Sequence, residues 1–323
     1  MTSLRLLFIF FAMVLGSNSA LSQSYPNKPV RVIVPYPAGG IVDIVVRSIT
    51  ERIAAEPGWK QPILVEVKPG AQSNLGTELV AKADPDGYTW LATGPAILSN
   101  PVIFTNLRWS VEDFQAVGIA VWNQNVAVVP DSVPAKTLKE FVAMAKEKPG
   151  KLNFGNPGTG SSNHLQSELF MQVAGIKMTS IGYKGQPPAI PDLLQGLLHF
   201  KVVAMGLAMP HIRSGKLRPL AVVTQGRLKE LPDVPTMTEA GYPAAGLNTW
   251  YGIYVPAKTP SPIVSRINAE INKALATAEV QERLIKSGNL PGSIKSPDEI
   301  QALMKSDAEK WGKVVKAAGI KAQ

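Results

Sequence analysis

The 323-residue sequence predicts an α/β protein organised as two lobes. Short β-branched or aromatic runs alternate with helical patterns, the arrangement that gives α/β units and largely parallel sheets. Several of those runs are continuously apolar, as strands covered on both faces are. The chain also exceeds what one hydrophobic core usually organises. Its composition, 45% hydrophobic and 18% charged, fits a folded protein rather than a disordered one, and 27 Gly with 27 Pro imply many turns.

From the amino end, residues 1–23 have the make-up of an export signal. Met1–Arg5 is a short positive segment, Leu6–Leu15 is apolar, and small residues follow, with cleavage expected after Ser19, Ala20 or Ser22. Ten apolar residues fall well short of the roughly 20 that a membrane-spanning helix needs, so the mature chain is expected to be exported and soluble.

Strands are expected at 31–34, 63–67, 88–93, 117–122, 126–129, 152–155, 177–183, 200–205, 218–224 and 251–255. A helix near Asp43 has an apolar face of Ile41, Ile44, Val45, Ser48, Ile49 and Ile53. Thr137-Leu-Lys-Glu140 has capping-box spacing, Ser261-Pro262 pairs a cap with proline at the first helical position, and Ser296-Pro-Asp-Glu299 opens a helix running to Gly319.

Glycine-rich turns fall where strands end. Pro35-Tyr-Pro-Ala-Gly-Gly40 precedes the Asp43 helix, Lys68-Pro-Gly-Ala-Gln-Ser-Asn74 follows the second strand, and Gly94 ends the third. In the second half, Gly155-Asn-Pro-Gly-Thr-Gly-Ser-Ser-Asn-His164 again opens a helix. Such turns gather beyond the carboxyl ends of strands, where exposed N–H groups at helix starts suit carboxylates or phosphates.

Other chemistries are weak. With no Cys and three scattered histidines (His164, His199, His211), neither a metal site nor a cofactor is expected. The net charge of +9 is spread without a basic run interleaved with aromatics, so no nucleic-acid partner is expected. Gly155-x4-Gly160-Ser161-Ser162 lacks the lysine of a nucleotide-binding loop. Ser161, Ser162 and His164 suggest a secreted serine hydrolase as the alternative reading, but no Gly-x-Ser-x-Gly elbow surrounds either serine, and helix capping explains them as well. Trp90 and Trp250, in or beside strands, are candidate ligand walls, and Lys184 is a candidate carboxylate partner.

The chain resembles the Bug/TctC family of periplasmic receptors that serve tripartite tricarboxylate transporters. Tyr25-Pro-Asn-Lys-Pro, Val34-Pro-Tyr-Pro-Ala-Gly-Gly-x-x-Asp43, Asp84-Pro-Asp-Gly-Tyr-Thr89 and Asn153-Phe-Gly-x-x-Gly-x-Gly-Ser-Ser-x-His-Leu165 carry the likeness. Tyr183-Lys-Gly185, Pro210-His-Ile-x-x-Gly-Lys-Leu217, Leu231-Pro-Asp-Val-Pro-Thr236, Val255-Pro-Ala-x-Thr-Pro260 and Lys310-Trp-x-Lys-Val314 extend it over the mature chain.

The resemblance implies a periplasmic, non-enzymatic receptor with a type II Venus-flytrap fold, lobe 1 at 24–127 plus 253–323 and lobe 2 at 128–252, joined by two crossover strands. It implies a monomer that delivers a small carboxylate to integral-membrane transporter subunits or reports it to a membrane sensor. One carboxylate would sit on Tyr36, Pro37, Ala38, Gly39 and Gly40, with Asp43 ordering the turn, and Ala71, Gln72, Ser73, Thr93 and Gly94 would complete that wall. Thr159, Gly160, Ser161, Ser162 and His164 would meet the other end, with Tyr183 and Lys184 nearby. Alignment on Pro210-His211 places Val203 where the family commonly carries an Asp, which removes an acceptor for an amine or hydroxyl. Together with Gln72, Pro95, Ile97 and Leu98, that favours a dicarboxylate over an amino acid, with aromatic diacids such as terephthalate included.

Overall fold

The computed structural model describes residues 25–320 other than 225, 247, 293 and 294; the expected export segment, 1–23, lies outside them. The first half contains β1 (Val30–Val34), α1 (Ile41–Ala54), β2 (Ile63–Val67), α2 (Asn74–Ala81), β3 (Thr89–Thr93), α3 (Ala96–Ile103) and β4 (Phe114–Asn123). Then come β5 (Asn125–Pro130), α4 (Leu138–Glu147), β6 (Asn153–Asn156), α5 (Ser162–Ala174), β7 (Thr179–Gly182), α6 (Ala189–Leu194), β8 (Lys201–Ala204), α7 (Met205–Arg213) and β9 (Leu217–Val222). The chain closes with β10 (Trp250–Pro256), α8 (Ser261–Leu275), α9 (Ala278–Lys286), β11 (Asn289–Pro291) and α10 (Pro297–Ala317).

Lobe 1 is a six-stranded sheet in the order β11-β4-β10-β3-β1-β2. Lobe 2 pairs β8-β5-β9, and β6 with β7, the two groups being bridged where Phe154 meets Phe200. The sheets are mixed rather than largely parallel. Parallel pairing holds for β1 with β2 and β3 and for β6 with β7, while β4, β5, β8, β9, β10 and β11 pair antiparallel. The cause is that β4 runs into β5 across Gln124 with no helix between them, so the chain changes lobe without a crossover unit. Sheet membership therefore changes at Gln124 and again between 222 and 250, so strand residues 125–127 and 250–252 each pair in the sheet opposite to the lobe assigned from the sequence.

Helices cover both faces of the lobe 1 sheet. Val42, Val45, Val46, Ile49 and Ile53 bury α1 against β1, Trp90 and α8. That stripe, at spacings of three and four, differs from the expected face: Ile44 points outward and is 44% exposed. On the other face, Leu98, Ile103, Trp311 and Val315 of α3 and α10 pack with Leu165 and Leu169 of α5, so lobe 2 contributes side chains to a core based on lobe 1. Trp90 and Trp250 are core residues, their indole N–H groups donating to Gly87 O and Asp307. Capping follows the sequence at Thr137 and Ser296, whose side chains accept from Glu140 N and Glu299 N.

One feature of lobe 2 runs against its composition. Lys201 is fully buried in β8, and its Nζ reaches the Gly155 carbonyl at 3.3 Å. Burial lowers its pKa to about 8. The folded value lies below the unfolded one, so the penalty is fully present below pH 8 and is relieved as pH rises toward 10.5. Lys201→Met should raise Tm at pH 7 by several degrees, on the order of 2 kcal/mol. Thermal melts of both proteins should show the gap shrinking steadily between pH 8 and pH 10.5; a gap independent of pH would refute the assignment.

Candidate functional site

The turn after β1 forms the lobe 1 wall. Gly40 is an extended N-cap (φ −71°, ψ 167°) without a capping side chain, so the first N–H groups of α1 are left to the cleft rather than to a cap. Asp43, only 5% exposed, reaches back so that its Oδ2 accepts the Gly39 N–H at 2.9 Å while Oδ1 accepts from Arg47 Nε at 2.8 Å. The carboxylate thus fixes the turn from beneath, and Pro37, Ala38 and Gly39 stay exposed above it. Tyr36 turns its hydroxyl inward, 3.0 Å from Thr93 Oγ1 and accepting the Gly94 N–H at 3.4 Å, with the Ser73 hydroxyl beside it. Burial raises the Tyr36 pKa, so the phenol stays neutral.

The turn after β2 is unusual in backbone terms. Gly70, Ala71, Gln72 and Ser73 have φ of 136°, 45°, 53° and 73° in succession. Three of these are not glycine, each costing on the order of 1 kcal/mol. Two features hold the turn. Asn100 Nδ2, from α3, donates to Gln72 O (2.9 Å) and to Asn74 Oδ1 (2.8 Å). Gly76 lets α2 pack so closely that a Cβ there would lie 2.9 Å from both Lys68 O and Pro35 Cβ.

Across the cleft, α5 begins at Ser161, whose hydroxyl accepts the His164 N–H at 3.4 Å. The His164 ring is buried and both its nitrogens are engaged: Nδ1 accepts the Gly160 N–H at 3.1 Å and Nε2 faces Glu168 at 3.5 Å. His164 therefore shapes the Gly160 loop from behind. With the Ser161 hydroxyl spent on a cap and the imidazole turned away, neither Ser161 nor Ser162 has His164 as a base, which removes the hydrolase alternative. Thr159 is half-buried, Gly160 and Ser162 are buried, and the lobes touch here. Ser99 Oγ of α3 donates to Gly160 O at 3.1 Å, and a Cβ on Gly160 would lie 2.5 Å from Ile103 Cδ1.

Two of the expected residues have other partners within lobe 2. Val203 is fully buried in the apolar cluster around Val126, Leu193 and Leu198, because its position in β8 faces α6. Tyr183 donates to Asp192 Oδ2 at 2.6 Å, and burial together with that carboxylate pushes its pKa up to about 12. Lys184 is exposed. In their place stand residues that sequence reasoning missed. Tyr251, on β10, packs its ring edge-on to Tyr36 (6.4 Å) and lies so close to Gly94 that a Cβ there would be 2.3 Å from Tyr251 Cε1. The side chains of Asn123 and Ser162 flank its hydroxyl, and burial raises its pKa. Asn163 and Gln186 extend the lobe 2 wall: Gln186 Nε2 donates to Asn163 Oδ1 (3.0 Å), which is 3.5 Å from Ser162 Oγ.

These turns bring together the hydroxyls of Tyr36, Ser73, Thr93, Tyr251 and Ser162 and the amide of Asn163. Among the described residues no cluster of His, Asp or Glu is placed to hold a metal ion. No helix of the described residues is long and apolar enough to cross a membrane. An open cavity of about 540 Å³ lies between Trp122, Leu290 and Lys295 of lobe 1 and Arg227 of lobe 2.

Comparison with known proteins gives the family. Residues 45–320 match the model of the tripartite tricarboxylate transporter family receptor. The chain belongs to that family. Its members are solute-binding receptors rather than enzymes. The receptor is 32% identical to Protein BugT of Bordetella pertussis over 321 residues, 98% of each chain. It is similar to Rpa4515 of R. palustris, solved with adipate, at 30% identity with a TM-score of 0.80, covering 92% of this chain and 99% of that one. It is also similar to MatC of Rhodopseudomonas palustris, solved with malate, at 29% identity with a TM-score of 0.77, covering 90% and 100%.

Asp43→Ala should release the Gly39 turn, lowering stability by about 2 kcal/mol and ligand affinity at least tenfold, measured by denaturant melts and calorimetry. Ser99→Ala removes a bond between lobes, not a ligand contact. Affinity should fall roughly three- to tenfold for every ligand, with their ranking unchanged. A change in ranking would place Ser99 in contact with the ligand.

Proposed function

We propose that this receptor is exported through cleavage of its first 23 or so residues, binds a small organic dicarboxylate between its lobes in the periplasm, and delivers it as a monomer to the membrane subunits of a tripartite tricarboxylate-type transporter. The observation that carries this reading is the pairing of two helix starts, after Gly40 and after Ser161, with hydroxyl and amide groups gathered between them. Helix starts and oriented N–H groups suit carboxylates. Ligand-bound relatives support the same class, since one was solved with adipate and another with malate.

Closure explains binding physically. When the lobes meet, water leaves and the carboxylates exchange hydration for fixed dipoles, whose charge-assisted hydrogen bonds strengthen in the drier site. Among the residues placed at these turns the one acid, Asp43, is committed to the Gly39 N–H and Arg47, so diacids rank above amino acids. The ring faces of Tyr36 and Tyr251 favour a flat or apolar ligand body, which brings aromatic diacids such as terephthalate into the class.

A thermal-shift panel of succinate, malate, adipate, terephthalate, aspartate and nicotinate on the mature protein tests the reading. The expected result is a rise in Tm with one subset of diacids and none with aspartate; aspartate giving the largest shift would refute it. Affinity for the best diacid should change little between pH 6 and pH 9, because burial keeps the two tyrosines neutral throughout.

A further inference from the structure

The lobe 2 wall contains a hydrogen-bond chain whose direction is fixed at one end. The Ala204 backbone N–H, at the carboxyl end of β8, donates to Gln186 Oε1 at 2.9 Å. A backbone N–H can only donate, so it forces Gln186 to turn its oxygen toward β8 and its NH₂ away. That NH₂ donates to Asn163 Oδ1 at 3.0 Å. The Asn163 side chain is therefore oriented as well, oxygen toward Gln186 and Nδ2 outward. Asn163 is 4% exposed, and among the described residues its Nδ2 has no hydrogen-bond partner. A buried amide donor left in that state costs about 1–3 kcal/mol, and native proteins rarely carry one without use.

The position suggests the use. Asn163 is the second residue of α5, beside Ser162, whose side chain reaches the Tyr251 hydroxyl from across the cleft. We propose that Asn163 Nδ2 is a lobe 2 donor to an anionic oxygen of the ligand, and that Gln186 is the positioning residue that holds this amide in its donating sense. The wall is then built for an acceptor: a carboxylate is taken, and an ammonium at the same place meets an N–H pointing at it. Each bond in the chain polarises the next, which strengthens the terminal donor. This inference rests on the dicarboxylate-receptor reading and deepens it, since it assigns selection against an amine to lobe 2.

Three uncharged variants test it by calorimetry: Asn163→Leu, Gln186→Met and the two combined, each checked for folding by circular dichroism and Tm. The probes are the tightest diacid of the panel and the ω-amino acid of equal length, adipate with 6-aminohexanoate for example. Asn163→Leu should weaken diacid binding at least thirtyfold and narrow the ratio between diacid and amino acid. Gln186→Met, which leaves the Asn163 amide free to turn over, should cost about tenfold. The combined variant should bind like Asn163→Leu alone, because Gln186 acts only through Asn163. Losses that multiply in the combined variant would make Gln186 an independent structural residue and overturn its role. Diacid binding within twofold of wild type in folded Asn163→Leu would overturn the donor. If the wild-type protein bound no diacid at all, the receptor reading itself would fail and take this inference with it.

Discussion

Lobe 2 is held to lobe 1 where two crossing segments lie side by side and are bonded to one another. Asn123 N–H donates to Thr249 O at 2.8 Å, Asn123 Nδ2 donates to Thr249 Oγ1 at 2.9 Å, and Val223 N–H donates to Asn125 O at 2.8 Å. The crossings leave from β4 and β10, the middle of the lobe 1 sheet, so lobe 2 overhangs both sides of them. On one side lie the ends of β3, β1 and β2, and there the cleft forms. On the other, over β11, Gly206 and Gly288 meet so tightly that a Cβ on Gly288 would lie 2.5 Å from Gly206 N. That backbone contact lies on the far side of the crossings from the cleft. Everything at the site follows: the strand ends that α/β architecture leaves free for ligands are the ones lobe 2 covers.

Within that frame the use of neutral groups at these turns has a physical basis. Burying an ion pair costs desolvation of both partners, and a facing Lys or Arg would carry that cost whenever the lobes closed. Lys201 shows what this chain does with a fully buried amine: it has a single carbonyl for a partner and its pKa falls. Hydroxyls, amides and helix N–H groups carry partial charges already fixed by the fold, so closure desolvates them at far lower cost. Selectivity then depends on which way each dipole points, and Asp43, Asn100 and Gln186 are placed to set those directions.

The sequence made the glycine turns legible because each combines three local signals: a strand end, glycine and a helix start. Gly39, Gly40, Gly160 and Ser161 stand where that pattern puts them. Asp43 was legible too, because an acid in the first turn of a helix has a local role. Tyr251 was not, since nothing in Trp250-Tyr-Gly-Ile-Tyr254 separates a core ring from one at the cleft; only pairing with β3, which sets it against Gly94, does so. Asn163 and Gln186 gain their meaning from a backbone N–H at 204 that no spacing reveals. Val203 was misplaced for the converse reason: a strand's last residues alternate between cleft and core, and a shift of one residue changes the face. The same limit applied to the sheets, because parallel order was inferred from alternation while β4 and β5 follow one another without a helix.

The least legible feature, the left-handed run at 71–73, bears most on how the lobes act together. Nothing in Ala-Gln-Ser demands positive φ, so its conformation is imposed by its surroundings, chiefly Asn100. Asn100 is adjacent in α3 to Ser99, which bonds lobe 2 at Gly160. Pro101 inside α3 limits what that helix can do without them, since it removes a backbone N–H. Two neighbouring side chains on one short helix therefore hold a strained lobe 1 turn and the opposing lobe 2 loop. A displacement of α3 when the lobes part would loosen both together. The strained turn of lobe 1 and the loop of lobe 2 thus share one support, so a substitution that shifts α3 would disturb both walls of the cleft at once.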